Sequence, residues 1–263
     1  MNGGEVQMRN DEILSYSEKP LPFVWCMNYE GVEHTLVGTK HSTPPQYGQD
    51  VQERLCGIEQ LLLELELSNG PHAAVLEFNQ YLVNELAQRF NPKEMSFINS
   101  LIKERSGTGH GVDLALEHAA HARNICVYGL ETAEEKIVCL RSLVDYGLSY
   151  VDKIPAVVRS LFFNEKTREK LSEHLAQQQE FYDKGDSVEL AASLKKMFAF
   201  VPSDMYDNLL VERNKTMVER SLPYLTKPTL VAVGVGHFLC EPTMLELYEQ
   251  QGARITRMEK KRR

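Results

Sequence analysis

The chain carries one short pattern twice, near its start and near its end: an apolar run closing on Gly-x-x-His, then a helix-forming stretch, then a second apolar run. The first copy is "HTLVGTKH", ending Gly38-Thr39-Lys40-His41, and the second is "TLVAVGVGHF", with Gly234-Val235-Gly236-His237. Strand, helix, strand in that order predicts an α/β chain. In an open α/β sheet, groups leaving the carboxyl ends of strands converge on one crevice, and a glycine at such an end lets the chain turn sharply. The two turns are therefore expected to bring His41 and His237 to the same sheet edge. Each pattern fixes only two positions, so a pair of satisfied structural histidines would read the same way. Recurrence in matching contexts favours a shared site.

The intervening sequence reads as alternating strands and helices. Residues 1–20 are polar and are expected to form an N-terminal arm. "FVWCMN" and "HTLVGTKH" flank the turn-forming Glu30-Gly31 and pair as strands, the second ending at Gly38. Val51, Leu55 and Ile58 lie at helical spacing before "QLLLELEL", a strand too apolar to face solvent. Ser68-Asn69-Gly70-Pro71 ends it, and helices are expected over 72–90 and 92–105, followed by a glycine-rich turn from Gly107 to Gly111. Asp113 is the expected N-cap of the next helix, and "NICVYGLE" is a fourth strand. Thr132 and Glu135 have capping-box spacing. Beyond Ala133 the chain is amphipathic and helix-forming to about Leu222, a helical insertion over 136–222. A fifth strand, a helix carrying Met244, Leu245 and Tyr248, and a last strand "ARITRM" close the chain. The expected architecture is a mixed central β-sheet flanked by helices, in two pseudo-repeated halves with the helical insertion, as one domain over 21–263.

With 263 residues, 43% of them hydrophobic, the chain can bury one sizeable core. A net charge of −8 argues against nucleic acid and anionic lipid as partners, and no apolar stretch has the length of a membrane span. The basic tail Lys260, Lys261, Arg262 and Arg263 reads as a solvated end. Five scattered cysteines without a Cys-x-x-Cys pair suit free thiols. No secretory signal precedes the first strand, so a cytoplasmic location is expected, or export by a route that leaves no cleaved signal.

Four further residues stand out chemically. Glu64 sits among leucines, and alternation would place Leu62, Glu64 and Glu66 on one strand face, where a buried carboxylate needs a cation, a metal, hydrogen bonds or a proton. Functionally it is the carboxylate to join two histidines as metal ligand or general base. Glu131 ends the fourth strand and should reach the same edge, unless it serves only the dipole of the following helix. Arg213 and Asn214 share a helix face with Leu210, Met217 and Ser221 and so point inward. Arg213 needs a fixed anion: Glu64, Glu131, a substrate carboxylate or an oxyanion. His118 and His121, three apart and near His110, read as a solvated pair, and His34, His72 and His174 have no organised surroundings. Ser42 lies beside His41 without a nucleophile elbow.

Trp25, "LVGTKH", "LLLELELS", "GVD" at 111–113, "GLETAEE", "KGD" at 184–186, "ERN" at 212–214 and "VAVGVGHF" occur in this order. In these motifs the sequence resembles the TraB/GumN family, which includes the TIKI proteins and is related to the erythromycin esterase and ChaN-like proteins. The resemblance runs from about residue 21 to the end. It implies an active centre of the two Gly-x-x-His motifs and the strand glutamate, hence His41, His237 and Glu64, with Glu131 and Arg213 in support. For TIKI members it implies metal-dependent proteolysis. The sequence departs from the family pattern at Lys40, which sets a cation next to His41, and at "HFLCEP", which lacks a glycine.

Three readings follow. In the first, a hydrolase of the TIKI-like peptidase type holds a divalent metal (manganese, cobalt, iron or zinc) on His41, His237 and Glu64. In the second, a metal-independent, esterase-like hydrolase uses a histidine as base and a glutamate to orient water. In the third, the crevice binds a small ligand, metal or haem without turnover. A peptide or a small molecule is the expected partner.

Overall fold

The computed structural model describes residues 21–40, 47–66, 72–105, 111–161 and 163–258. The expected N-terminal arm, His41, Ser42, His110 and the basic tail lie outside the described residues. Six strands form one sheet: β1 (Val24–Tyr29), β2 (Val32–Thr39), β3 (Gln60–Leu63), β4 (Cys126–Gly129), β5 (Thr229–Gly234) and β6 (Arg254–Arg257). Their order across the sheet is β4-β3-β5-β2-β1-β6. β1 pairs antiparallel with β2 and with β6, while β2, β3, β4 and β5 run parallel. The sheet is therefore mixed, with β1 alone reversed, and helices flank it.

Between strands lie α1 (Gly48–Arg54), α2 (His72–Arg89), α3 (Pro92–Arg105) and α4 (Val112–His121). The long excursion from β4 to β5 is helical throughout: α5 (Ala133–Val151), α6 (Ala156–Ser160), α7 (Glu165–Lys184), α8 (Ser187–Phe198), α9 (Ser203–Tyr206) and α10 (Glu212–Ser221). A π turn at Asp207–Val211 joins α9 to α10 in one continuous rod. After β5 come α11 (Gly236–Leu239) and α12 (Met244–Gln250). Among the described residues no helix is long and apolar enough to cross a membrane.

Strand composition explains the layers. Leu61, Leu62 and Leu63 of β3 and Leu230 to Val233 of β5 are all buried on both faces, as unbroken apolar runs in parallel strands should be. Helices start where their caps demand. The Thr132 and Glu135 side chains exchange hydrogen bonds with each other's backbone N–H groups to open α5, as their spacing predicts. α4 departs from expectation: its N-cap is Gly111, and Asp113 sits buried inside the first turn.

Two further expectations are corrected in detail. β2 runs one residue further than expected, to Thr39. β3 stops at Leu63, so Glu64 is the first residue beyond the strand and not a position within it. The two strand-helix-strand units also differ in span, since β2 to β3 steps over one strand and β5 to β6 over two. What the two turns share is adjacency. β2 and β5 are neighbours in register, Gly38 opposite Val233 and Thr39 opposite Gly234, and Val235 N–H donates to Thr39 O at 2.8 Å. Gly38 is required by that closeness, because a Cβ there would lie 3.0 Å from Val235 Cγ2 and 3.1 Å from Phe23 Cβ.

Candidate functional site

Four parallel strands end at one edge, and the site is built from residues within three positions of the ends of β3, β4 and β5, with side chains from α5 and α10. Past the last β3–β4 pair, the strands remain zipped: Leu130 N–H donates to Leu63 O at 2.8 Å and Glu131 N–H to Glu64 O at 2.9 Å. Glu64 N–H in turn donates to Ala232 O of β5 at 3.2 Å. Glu64 and Glu131 are thus held side by side by backbone geometry, and both are buried. Gly129 fits beneath them, since a Cβ there would lie 3.1 Å from both Glu131 O and Glu66 N.

Arg213 answers both carboxylates, meeting the requirement for an anion. Its Nε donates to Glu131 Oε1 and its Nη2 to Glu131 Oε2, each at 2.6 Å, a bidentate pair. Nη2 also reaches Glu64 Oε1 at 2.7 Å, and Nη1 donates to Leu209 O at 3.0 Å. Burial opposes the guanidinium charge, but the Glu131 bond and the two carboxylate charges outweigh it and raise its pKa. Arg220, two turns along α10, donates to Leu130 O at 2.9 Å and forms a second bidentate pair with the exposed Glu135.

Glu64 is engaged on both oxygens. Oε1 accepts from Arg213 and from Lys136 Nζ at 2.9 Å, while Oε2 accepts from Gly234 N–H at 3.3 Å. His237, buried on α11, brings Nε2 to 3.9 Å from that same Oε2. That separation is too long for a direct hydrogen bond and close enough for both atoms to contact one small group. On its other side, His237 Nδ1 lies 2.6 Å from Asn214 Oδ1.

Of the residues singled out in the sequence, Glu64, Glu131, Arg213 and His237 are brought together, and His41 follows Lys40 outside the described residues. Sequence reasoning left two members out of the site. The spacing turns Asn214 inward without attaching a role to it. Lys136 follows one turn after a helix cap, where nothing in the pattern distinguishes it from a surface lysine. Only the need of a buried Glu64 for cationic partners pointed to it. Lys40 points toward α7, where Nζ donates to Gln179 Oε1 at 2.7 Å. Burial lowers its pKa, with the Asp183 charge opposing. Tyr182, on the same helix, donates to Gly38 O at 2.9 Å, so α7 braces the end of β2.

His118 and His121 are exposed on α4, and His121 lies 3.7 Å from Glu117. Among the described residues no group of three or more His, Cys, Asp or Glu side chains is placed to hold a metal. Beyond the Arg213–Glu131 pair, between α5 and the α9–α10 rod, a cleft of about 780 Å³ opens, with Val138, Cys139 and Leu209 among its apolar walls.

A mixed α/β sheet with buried carboxylates, an arginine and a histidine at the carboxyl edge of its parallel strands defines the class of molecule. The sequence model of the TraB/PrgY/gumN family matches residues 73–257, and the chain belongs to that family. The matched segment contains Glu131, Arg213, Asn214 and His237, whereas Glu64 and His41 precede it. Neither the curated proteins nor the solved structures contain a match to the chain.

Proposed function

We propose that this protein is a hydrolase whose reacting centre lies between His237 Nε2 and Glu64 Oε2, with peptide bonds as the substrate class that the TIKI resemblance suggests. The observation that carries the reading is the 3.9 Å approach of these two atoms at the strand edge. One is an imidazole nitrogen, and the other is a carboxylate oxygen whose twin is held by two cations.

A divalent ion suits this pair, because an imidazole whose second nitrogen is engaged by a neighbour and a carboxylate oxygen anchored from behind are the donors such ions take. His237 and Glu64 would hold it, with His41 as the third ligand implied by the resemblance. When bound, it supplies a water of lowered pKa and polarises a carbonyl. The chain's own groups do the rest. Arg213 and Lys136 keep the Glu64 carboxylate charged and fixed in direction. Arg213 has bonds to both glutamates and to Leu209 O, so its part is to hold the carboxylates in place.

One observation favours the metal-independent alternative: Glu64 and Glu131 already face two cations, Arg213 and Lys136. In that reading His237 takes a proton from water directly, and Glu64 orients it.

The test pairs elemental analysis of protein never exposed to chelator with a peptide and ester screen of wild type and His237→Gln. Turnover that fails in His237→Gln and rises with bound metal is expected. Turnover with no stoichiometric metal and no response to manganese, cobalt, iron or zinc would replace the metal reading with its alternative. No turnover under any of these conditions would overturn the hydrolase reading.

A further inference from the structure

Asn214 is completely buried on α10, and its amide is engaged at both ends. Nδ2 donates to Pro242 O at 2.7 Å, and Oδ1 lies 2.6 Å from His237 Nδ1. A backbone carbonyl can only accept, so the amide nitrogen has to face Pro242. That leaves the amide oxygen facing the imidazole, and it too can only accept. The ring nitrogen opposite it therefore carries a proton. A neutral imidazole has one N–H, so the lone pair falls on Nε2, the atom 3.9 Å from Glu64 Oε2.

We infer that Asn214 is a positioning residue that locks neutral His237 in its Nδ1-protonated tautomer and so presents Nε2, as base or ligand atom, toward Glu64. The purpose of this lock rests on the hydrolase reading; its existence does not. The reverse tautomer would set two lone pairs against each other at 2.6 Å in a buried pocket with no donor between them. Asn214 and Arg213 are consecutive on α10, so one helix turn fixes both the glutamate pair and the imidazole. The lock also supplies the other half of what either hydrolytic reading needs, since a base or a metal ligand must offer a lone pair.

The experiment is two-bond proton–nitrogen correlation NMR on protein carrying ¹⁵N-histidine, without added metal or substrate, with His237→Gln used to identify the signal. At neutral pH the wild type is expected to show His237 protonated at Nδ1 and bare at Nε2. A neutral ring with its proton on Nε2 would overturn the inference. In Asn214→Leu with a native amide spectrum, the preference for Nδ1–H is expected to be lost, and an unchanged tautomer would overturn it. Asn214→Asp keeps an acceptor opposite the ring, so the proton on Nδ1 should persist. Loss of the Nδ1 proton in Asn214→Asp would overturn the inference. If Asn214→Leu does not fold, wild type and Asn214→Asp decide the matter. Absence of turnover in the substrate screen would remove the hydrolase reading and leave this assignment standing. An Nε2–H tautomer in an active hydrolase would remove the assignment alone.

Discussion

The ends of β3 and β4 are chemically alike and differently used. Each strand is short, each is followed by a buried glutamate, and the two glutamates are joined through their own backbone and through Arg213. At the β4 end, both Glu131 oxygens are taken by one guanidinium, which is a geometry for holding an arginine in place. At the β3 end, Arg213 and Lys136 converge on a single oxygen of Glu64, and the other faces the Gly234 N–H and the His237 ring. The carboxylate anchored on one oxygen keeps the other directed at a group that can react. On the proposed hydrolase reading, Glu131 belongs to the architecture and Glu64 to the chemistry.

Removing the shared cation should break the arrangement most severely. Arg213→Ala leaves Glu131 without its guanidinium and Glu64 with one fewer cation, and a buried pair broken on one side costs roughly 3–5 kcal/mol. Urea unfolding at neutral pH is expected to show a loss of that size, and a loss below about 1 kcal/mol would mean that water compensates the carboxylates.

The Arg220–Glu135 pair sharpens the contrast, because it has the same two-point bonding with both side chains about 40% exposed (41% and 43%). Glu135→Gln should cost less than about 1 kcal/mol. The Arg220 bond, with help from the Thr132 backbone, lowers the Glu135 pKa to about 2. A depressed carboxylate stabilises the fold above its unfolded pKa near 4.5 and ceases to do so as pH falls toward 2. The difference between wild type and Glu135→Gln should therefore close across that window in pH-dependent unfolding. A difference that stays constant would show that the capping role, and not the charge, is what the side chain contributes.

Much of this site could be read from the sequence because it obeys local rules. Apolar runs marked β1 to β5 and the short segment "ARITRM" after a glycine marked β6, the Thr132 capping box marked the start of α5, and helical spacing from Leu210 through Met217 to Ser221 turned Asn214 inward. Strand order was not legible, since periodicity says nothing about which strand lies beside which. That β5 sits between β3 and β2 is what lets Glu64 and His237 meet. The alternation argument carried β3 past Glu64, because a leucine-rich run looks the same whether the ladder continues or stops. His34, set aside in the sequence, is buried on β2, and its ring nitrogens have no hydrogen-bond partner among the described residues. Burial lowers its pKa to about 4, so it fills the core as a neutral ring. Nothing in its neighbours' residue types distinguishes that use from a surface position.

The distinction between the two strand ends is tested most directly by measuring turnover of Glu64→Gln and Glu131→Gln side by side, on whichever substrate the wild type cleaves and at equal folded fraction. Loss of a residue acting on the reacting water should cost at least about 100-fold, and loss of an anchoring one less than about 10-fold. A Glu64→Gln enzyme as active as wild type, or a deeper loss in Glu131→Gln, would contradict the account.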